Sequence, residues 1–213
     1  MQRPIIKLAL LSLFLALLPY QKSKAASSVA HLVDLPGSKW RVSPPLQQRM
    51  ALHTGREPRR ITVHYTDTAK NSTRLLEEKL RVLFHFAINK VDKKKKKSWG
   101  DIPYHYFIDV FGKVGEARYV AFQPDSNTDY KLDGHITIVV EGNPTDGINS
   151  FQRHKLFLLL DSLQTESEIP NEHVGVHKDF ASTDCPGTAI VNVVNEYKMY
   201  RGKSLWWWWW YGR

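Results

Sequence analysis

Apolar positions along the chain change their period several times, and each change marks an element. Residues 60–66, RITVHYT, are β-branched and aromatic with turn formers on either side, which predicts a central strand. The following STRLLEEKLRVLFHFAINK spaces Leu76, Leu80, Leu83, Phe84 and Ala87 at helical intervals. It predicts an amphipathic helix over 73–89, with Ser72 or Thr73 as cap before Glu77. YHYFIDVFGKVGEARYV breaks at Phe111-Gly112 into two short runs, the pattern of an antiparallel hairpin. HITIVVEGN, 135–143, is apolar almost throughout and predicts a strand buried on both faces. INSFQRHKLFLLLDSLQTE carries one stripe of Phe151, Lys155, Leu158, Leu159 and Ser162 beside a second of Leu156, Leu160 and Leu163, a largely buried helix. HVGVH reads as a short strand ending at His177. Beyond Pro186, tolerated as a first helical residue, TAIVNVVNEYKMY continues as a helix to about Tyr200. The order β-α-β-β-β-α-β-α predicts an α/β fold with a mixed central β-sheet flanked by α-helices.

The two ends depart from this pattern. MQRPIIKLALLSLFLALLPYQKSKA has cationic ends, an apolar run from Leu8 to Leu18, and small residues at Ser23 and Ala25. Residues 1–25 therefore read as a secretory signal peptide, and the protein is expected to be exported, periplasmic or secreted. The apolar run falls short of the roughly 20 residues that span a bilayer. Residues 26–59, with Pro36, Gly37, Pro44 and Pro45, read as an irregular arm, 60–200 as the folded domain, and 201–213 as a tryptophan-rich tail. The five consecutive tryptophans, Trp206, Trp207, Trp208, Trp209 and Trp210, cannot all face a core on either a helix or a strand. Such a run suits a membrane surface or the sugar rings of a cell wall, and a tail with no target is the plainer alternative.

The formal charge is +9; removing the leader takes away Arg3, Lys7, Lys22 and Lys24 and no acid, leaving +5. Part of that excess is the run Lys93 to Lys97, which favours polyanions in general or simply forms a solvated loop. No nucleic-acid partner is expected of an exported chain.

One cysteine, Cys185 in HKDFASTDCPG, cannot form a disulfide within its own chain. It is an intermolecular partner, an inert buried thiol, a nucleophile or a metal ligand. His64 on the first strand, His177 closing another and Cys185 in the loop after it can converge at one rim of the sheet. Two imidazoles and a thiolate make a three-ligand zinc set with a fourth position open, as catalytic zinc uses. A blue-copper site needs a weak axial ligand and close ligand spacing, and no His or Met lies between 186 and 195. A Cys185–His177 nucleophile pair remains an alternative that leaves His64 unexplained.

The segments RRITVHYTDT, WGDIPYHYFIDVFGKVGEAR, HITIVVEGN and VGVHKDFASTDCPG, in that order, resemble the motifs of the zinc-dependent N-acetylmuramoyl-L-alanine amidases. That family shares its fold with peptidoglycan-recognition proteins and T7-type phage lysozymes, and the resemblance runs from about Arg60 to Tyr200. It implies Zn2+ on His64, His177 and Cys185, with Tyr104 assisting at the metal and Thr183 at the position that holds Lys or Thr in the family. It implies peptidoglycan or muropeptides as substrate and hydrolysis of the amide between N-acetylmuramic acid and L-alanine. A non-catalytic peptidoglycan receptor on the same fold is the alternative; binding members often lose the cysteine ligand, which is present here.

Two departures bear on the catalytic base. Thr137 replaces a glycine usual in that strand, and Val139 stands where some members carry a catalytic glutamate. Glu141, on the same strand face, is the remaining candidate. Alternation turns the His105 side chain away from the site, toward packing. His85, His154 and His173 read as structural or solvent-facing. Asp179 and Asp184 either orient a ligand imidazole or form turns and caps. The Lys93–Lys97 insertion lies outside the resemblance.

Overall fold

The central strand β1 (Arg60–Tyr65) sorts its side chains by alternation, and that sorting decides where the site lies. In a computed structural model, which describes residues 29–55, 57–91 and 98–202, Ile61 and Val63 pack on one face of the sheet while Thr62 and His64 turn to the other. The elements in chain order are α1 (Val29–Leu32), α2 (Gly37–Trp40), β1, α3 (Leu76–Asn89), β2 (Tyr106–Ile108), β3 (Val114–Glu116), β4 (His135–Val140), α4 (Ser150–Glu166), β5 (Val174–Val176) and α5 (Gly187–Gly202). The five strands form one mixed sheet in the order β3-β2-β4-β1-β5. β1 runs parallel to β4 and β5, β2 parallel to β4, and β2–β3 is the antiparallel hairpin.

Helices cover both faces. Leu156, Leu159, Leu160 and Leu163 of α4 and Ile190, Val193, Val194 and Tyr197 of α5 bury Ile61, Val63, Ile136, Ile138 and Val140. On the opposite face α3 contributes Leu76, Leu80 and Phe84 against Phe107, Val139 and Ala117. β4 is buried along its whole length, as its unbroken apolar run predicts. Asn149 caps α4, accepting from the Gln152 amide at 2.9 Å, and the Gln152 side chain donates onward to the Glu141 carbonyl at 2.8 Å, tying the helix start to the end of β4. Gly112 turns the hairpin at φ +74°, where a Cβ would lie 2.7 Å from the Phe151 carbonyl oxygen.

Three expectations are revised. α3 begins at Leu76 rather than 73, because the Asn71 side chain captures the amides of Thr73 and Arg74 in a turn; Glu78 accepts from the Leu75 amide, and neither Ser72 nor Thr73 caps the helix. β5 stops at Val176, and His177 starts a short 3-10 turn to Asp179. The arm is largely irregular but is part of the domain. The amides of Asp34 and Leu35 donate to the Val114 carbonyl at the β3 edge. Trp40 is fully buried, edge-on to Phe84 at 5.9 Å, and Arg41 grips Asp101 with two 2.9 Å bonds. The leader, Lys93–Lys97 and Trp206–Trp210 lie outside the described residues. No described helix is long and apolar enough to cross a membrane.

Candidate metal centre

His64 reaches the polar face near the end of β1, His177 follows β5 directly, and Cys185 returns from the loop before α5. β5 lies beside β1, with Val63 opposite Val176, so pairing alone brings the two histidines together. Their ring centroids are 4.5 Å apart. The loop is pinned by the Lys178 amide donating to the Cys185 carbonyl at 3.0 Å and by Asp179, which accepts from the Val176 amide at 2.8 Å. Asp179 thus closes a turn and orients no imidazole. Cys185 Sγ lies 3.7 Å from His64 Nδ1 and accepts from the Tyr65 amide at 3.5 Å. One nitrogen from each histidine and the sulfur all lie within 4.8 Å of one another.

The donor chemistry fits a zinc ion. His177 Nδ1 is buried and has no hydrogen-bond partner, a costly state for a polar atom unless something is bound there. Burial disfavours a proton on His177, and burial together with the charges of His177 and His135 holds His64 well below the ordinary imidazole range. Both rings are therefore neutral, the state in which imidazole ligates metal. Burial also pushes the Cys185 thiol up to about 12, only partly offset by the Tyr65 amide. A cation in the cluster is what would hold that sulfur as a thiolate. The thiol-nucleophile alternative has no such support, because the site lacks a charge that favours the thiolate.

The other nitrogens of the two rings face a loop that carries no motif of its own. Thr128 Oγ1 sits 2.6 Å from His177 Nε2, with Ser126 Oγ 2.8 Å behind it, and the Tyr130 hydroxyl is 3.5 Å from His64 Nε2. In DSNTDY, residues 125–130, the only visible signal is turn chemistry.

The centre opens into a cavity of about 630 Å³, lined also by Tyr104, Thr183, Asp67, Arg74 and the α3 side chains Val82 and Phe86. Val82 and Phe86 are more than half exposed, at 53% and 51%, so the cavity keeps an apolar wall. The Tyr104 ring is 5.2 Å from that of His64, and burial, then the Cys185 charge, raises its pKa, keeping the hydroxyl protonated as a donor. Thr183 Oγ1 accepts from the Cys185 amide at 3.2 Å, leaving its own hydroxyl hydrogen for other use.

Glu141, the expected candidate base, lines the same cavity, and its carboxylate is engaged by three donors. Its carboxylate accepts from Lys79 Nζ, the Asn71 amide and the Val110 amide, each at 2.8 Å, and is 4% exposed. Both oxygens are engaged in joining α3, β4 and the hairpin turn. Val139 packs in the apolar layer beneath α3. His105 is fully buried, taking the Thr137 amide on Nδ1 and facing the Phe122 carbonyl with Nε2, both at 2.9 Å. Thr137 is thereby part of a packing arrangement. Neither His85, His154 nor His173 lines the cavity, and Asp184 is exposed, its carbonyl accepting from the Gly187 amide.

No protein-family profile matches the sequence, and no curated protein matches it. Solved structures do. Drosophila peptidoglycan recognition protein SD aligns with a TM-score of 0.62 at 21% identity over 77% of this chain and 94% of its own. The N-acetylmuramoyl-L-alanine amidase LysC from Clostridium intestinale aligns with 0.52 at 20% identity, over 68% and 85%. A mutant of Drosophila PGRP-LB, in complex with tracheal cytotoxin, aligns with 0.61 at 19% identity, over 76% and 92%. The mixed sheet and its flanking helices are the fold of these proteins.

Proposed function

We propose, from a fold shared with peptidoglycan recognition proteins and an N-acetylmuramoyl-L-alanine amidase, that this chain is an exported zinc-dependent amidase. Its bond is the amide between N-acetylmuramic acid and the L-alanine of the stem peptide. The observation that carries the reading is the buried His64–His177–Cys185 cluster, with the unpartnered His177 Nδ1 among its donors, at the wall of a cavity large enough for a muropeptide fragment. A receptor that only binds has no need of a complete ligand set.

His64, His177 and Cys185 would hold the ion. Zinc bound there supplies Lewis acidity toward an amide carbonyl and a water of lowered pKa. The chain's own groups do the rest. Tyr104, partly buried and protonated, would offer its O–H to the oxygen that becomes negative as the carbonyl is attacked, a contribution of about 3 kcal/mol for one such donor. Thr183 presents its hydroxyl hydrogen on the cysteine side of the cavity. The apolar wall of Val82 and Phe86 gives the sugar or peptide a face to rest on and excludes water from it.

The test is metal analysis of the purified protein, with mass spectrometry of muropeptides after digestion. Stoichiometric zinc and free stem peptides released with an intact L-alanine amine support the amidase. Tight muropeptide binding without cleavage by the zinc-loaded protein would instead make it a receptor, and cleavage that survives phenanthroline would return the reaction to the thiol.

A further inference from the structure

A second concavity, about 590 Å³, lies on the sheet at the opposite end of β1 from His64, and its chemistry is unlike that of the metal centre. β1 and β4 run parallel with Arg60 opposite His135, so the residues that precede and open both strands meet at one edge. There Arg59, Arg60 and Lys131 line the cleft. None of the three has a carboxylate within ion-pairing distance among the described residues. The acid in the lining, Asp133, is already engaged: it accepts from the amide and hydroxyl of Thr54 and lies 3.3 Å from His53 Nδ1. That engagement, the Thr54 hydroxyl first, holds Asp133 down at about 2, so it stays a carboxylate and the lining sets three cations against one negative charge.

The cations are also placed. The Arg60 guanidinium carbon lies over the Phe180 ring, 5.2 Å from its centroid, a cation–π contact that anchors the head group at the cleft. The Arg59 side chain lies against Gly134, where a Cβ would stand 3.5 Å from Nε. Phe180 is in turn stacked with Tyr130 at 5.8 Å and 19°, so the cleft has an aromatic wall behind its charges. Two arginine forks with a lysine as a point charge beside them offer donors from several directions, which suits the tetrahedral oxygens of a phosphate group, whereas a carboxylate is filled by one fork.

We propose that this cleft is an anion-binding site for a phosphate group, either free or carried on a phosphate-bearing polymer, distinct from the metal centre. Three cations with no ion-pair partner among the described residues, against the single carboxylate of Asp133, attract such a group and are screened by salt in proportion. The site does not depend on hydrolysis, and it stands if the protein proves to be a receptor.

The experiment is a titration of the full, zinc-loaded protein with inorganic phosphate at low ionic strength, followed by amide chemical shifts, with polyphosphate and polyglutamate as second and third probes. Saturable shifts centred on 59–60, 131 and 134 are expected, and Arg59→Gln/Arg60→Gln should weaken phosphate at least tenfold while muropeptide cleavage and the far-ultraviolet spectrum stay unchanged. Arg74→Gln, in the other cavity, should leave phosphate binding as it is. Polyphosphate binding much more tightly than inorganic phosphate identifies a polymer as the source, and equal affinity per phosphate identifies the free ion. Polyglutamate binding as tightly as polyphosphate overturns the phosphate assignment. Absence of saturable shifts, or equal affinity in the double-arginine variant, overturns the site.

Discussion

The hydroxyl of Thr128 stands 2.6 Å from Nε2 of His177, the nitrogen across the ring from the unpartnered Nδ1. With Nε2 donating to Oγ1, the lone pair of Nδ1 is left facing the ligand cluster, where that atom is buried and unpartnered. The hydroxyl therefore selects the tautomer that can ligate. Partners of this kind typically change metal affinity by about 10- to 100-fold when removed. Thr128→Val should weaken zinc within that range in a chelator competition, Thr128→Ser should restore it, and the fold should be unaffected. Equal zinc affinity in Thr128→Val would reduce Thr128 to loop packing.

On the proposed reading Cys185 would supply the anionic donor of the set. Cys185→Ser replaces it with a hydroxyl that stays neutral, so bound zinc and hydrolysis should both be lost. His64 and His177 should remain in place, because β1–β5 pairing rather than the metal brings them together. Stoichiometric zinc with normal turnover in this variant would remove the cysteine from the ligand set.

Tyr104→Phe removes one oxygen from a ring that remains packed beside His64. Zinc content should persist while kcat drops about a hundredfold, the size associated with one oxyanion donor. If kcat is unchanged, the tyrosine serves only to wall the cavity.

What could be read from the sequence follows from how local each signal is. β1 announces itself through β-branched and aromatic residues between turn formers, β4 through an unbroken apolar run and the hairpin through a Phe111-Gly112 break, and the candidate metal cluster through rare residue types. The 3-10 turn at His177 was hidden because HVGVH has the same apolar pattern whether the chain bends at its end or not. Thr128 and Tyr130 were invisible for a different reason: a hydroxyl in a turn becomes a ligand's partner only when the loop is laid across two strands. The partner of Glu141, Lys79, comes from a helix 62 residues earlier, and strand alternation gives a face without giving the neighbour on it.

Glu141 can be separated from catalysis by stability. Lys79 Nζ and the Glu141 carboxylate are both nearly buried, and Asp109 lies 3.9 Å from the same nitrogen. Removing the charge with Glu141→Gln leaves the ammonium with a weaker partner in a dry setting, a change that costs on the order of 3 kcal/mol. The urea midpoint should fall accordingly, and Lys79→Met/Glu141→Gln should recover part of the loss. Turnover per folded molecule should be close to wild type in both; a collapse of kcat with an unchanged midpoint would restore Glu141 as the base.

His105 and His135 make stability depend on pH in a direction that can be worked out. Burial lowers His105 to about 3 against a weaker opposing pull from the Phe122 carbonyl, and burial, then Arg60, lowers His135 to about 4. In the unfolded chain both return to roughly 6.5. Above that value neither state binds the proton and the two rings contribute no slope. As pH falls below it the unfolded chain takes up protons that the folded chain refuses, so stability declines toward the folded values, by at most about 1.4 kcal/mol per pH unit for each ring. The metal-free Cys185→Ser protein should therefore show a lower urea midpoint at pH 5 than at pH 7. Through the same range the His105 ring should remain in its neutral Nε2–H form by nitrogen NMR, since Nδ1 is occupied by the Thr137 amide. A His105 that titrates near 6.5 in the folded protein, or a midpoint that rises on acidification, would show that this ring is not held neutral by its burial.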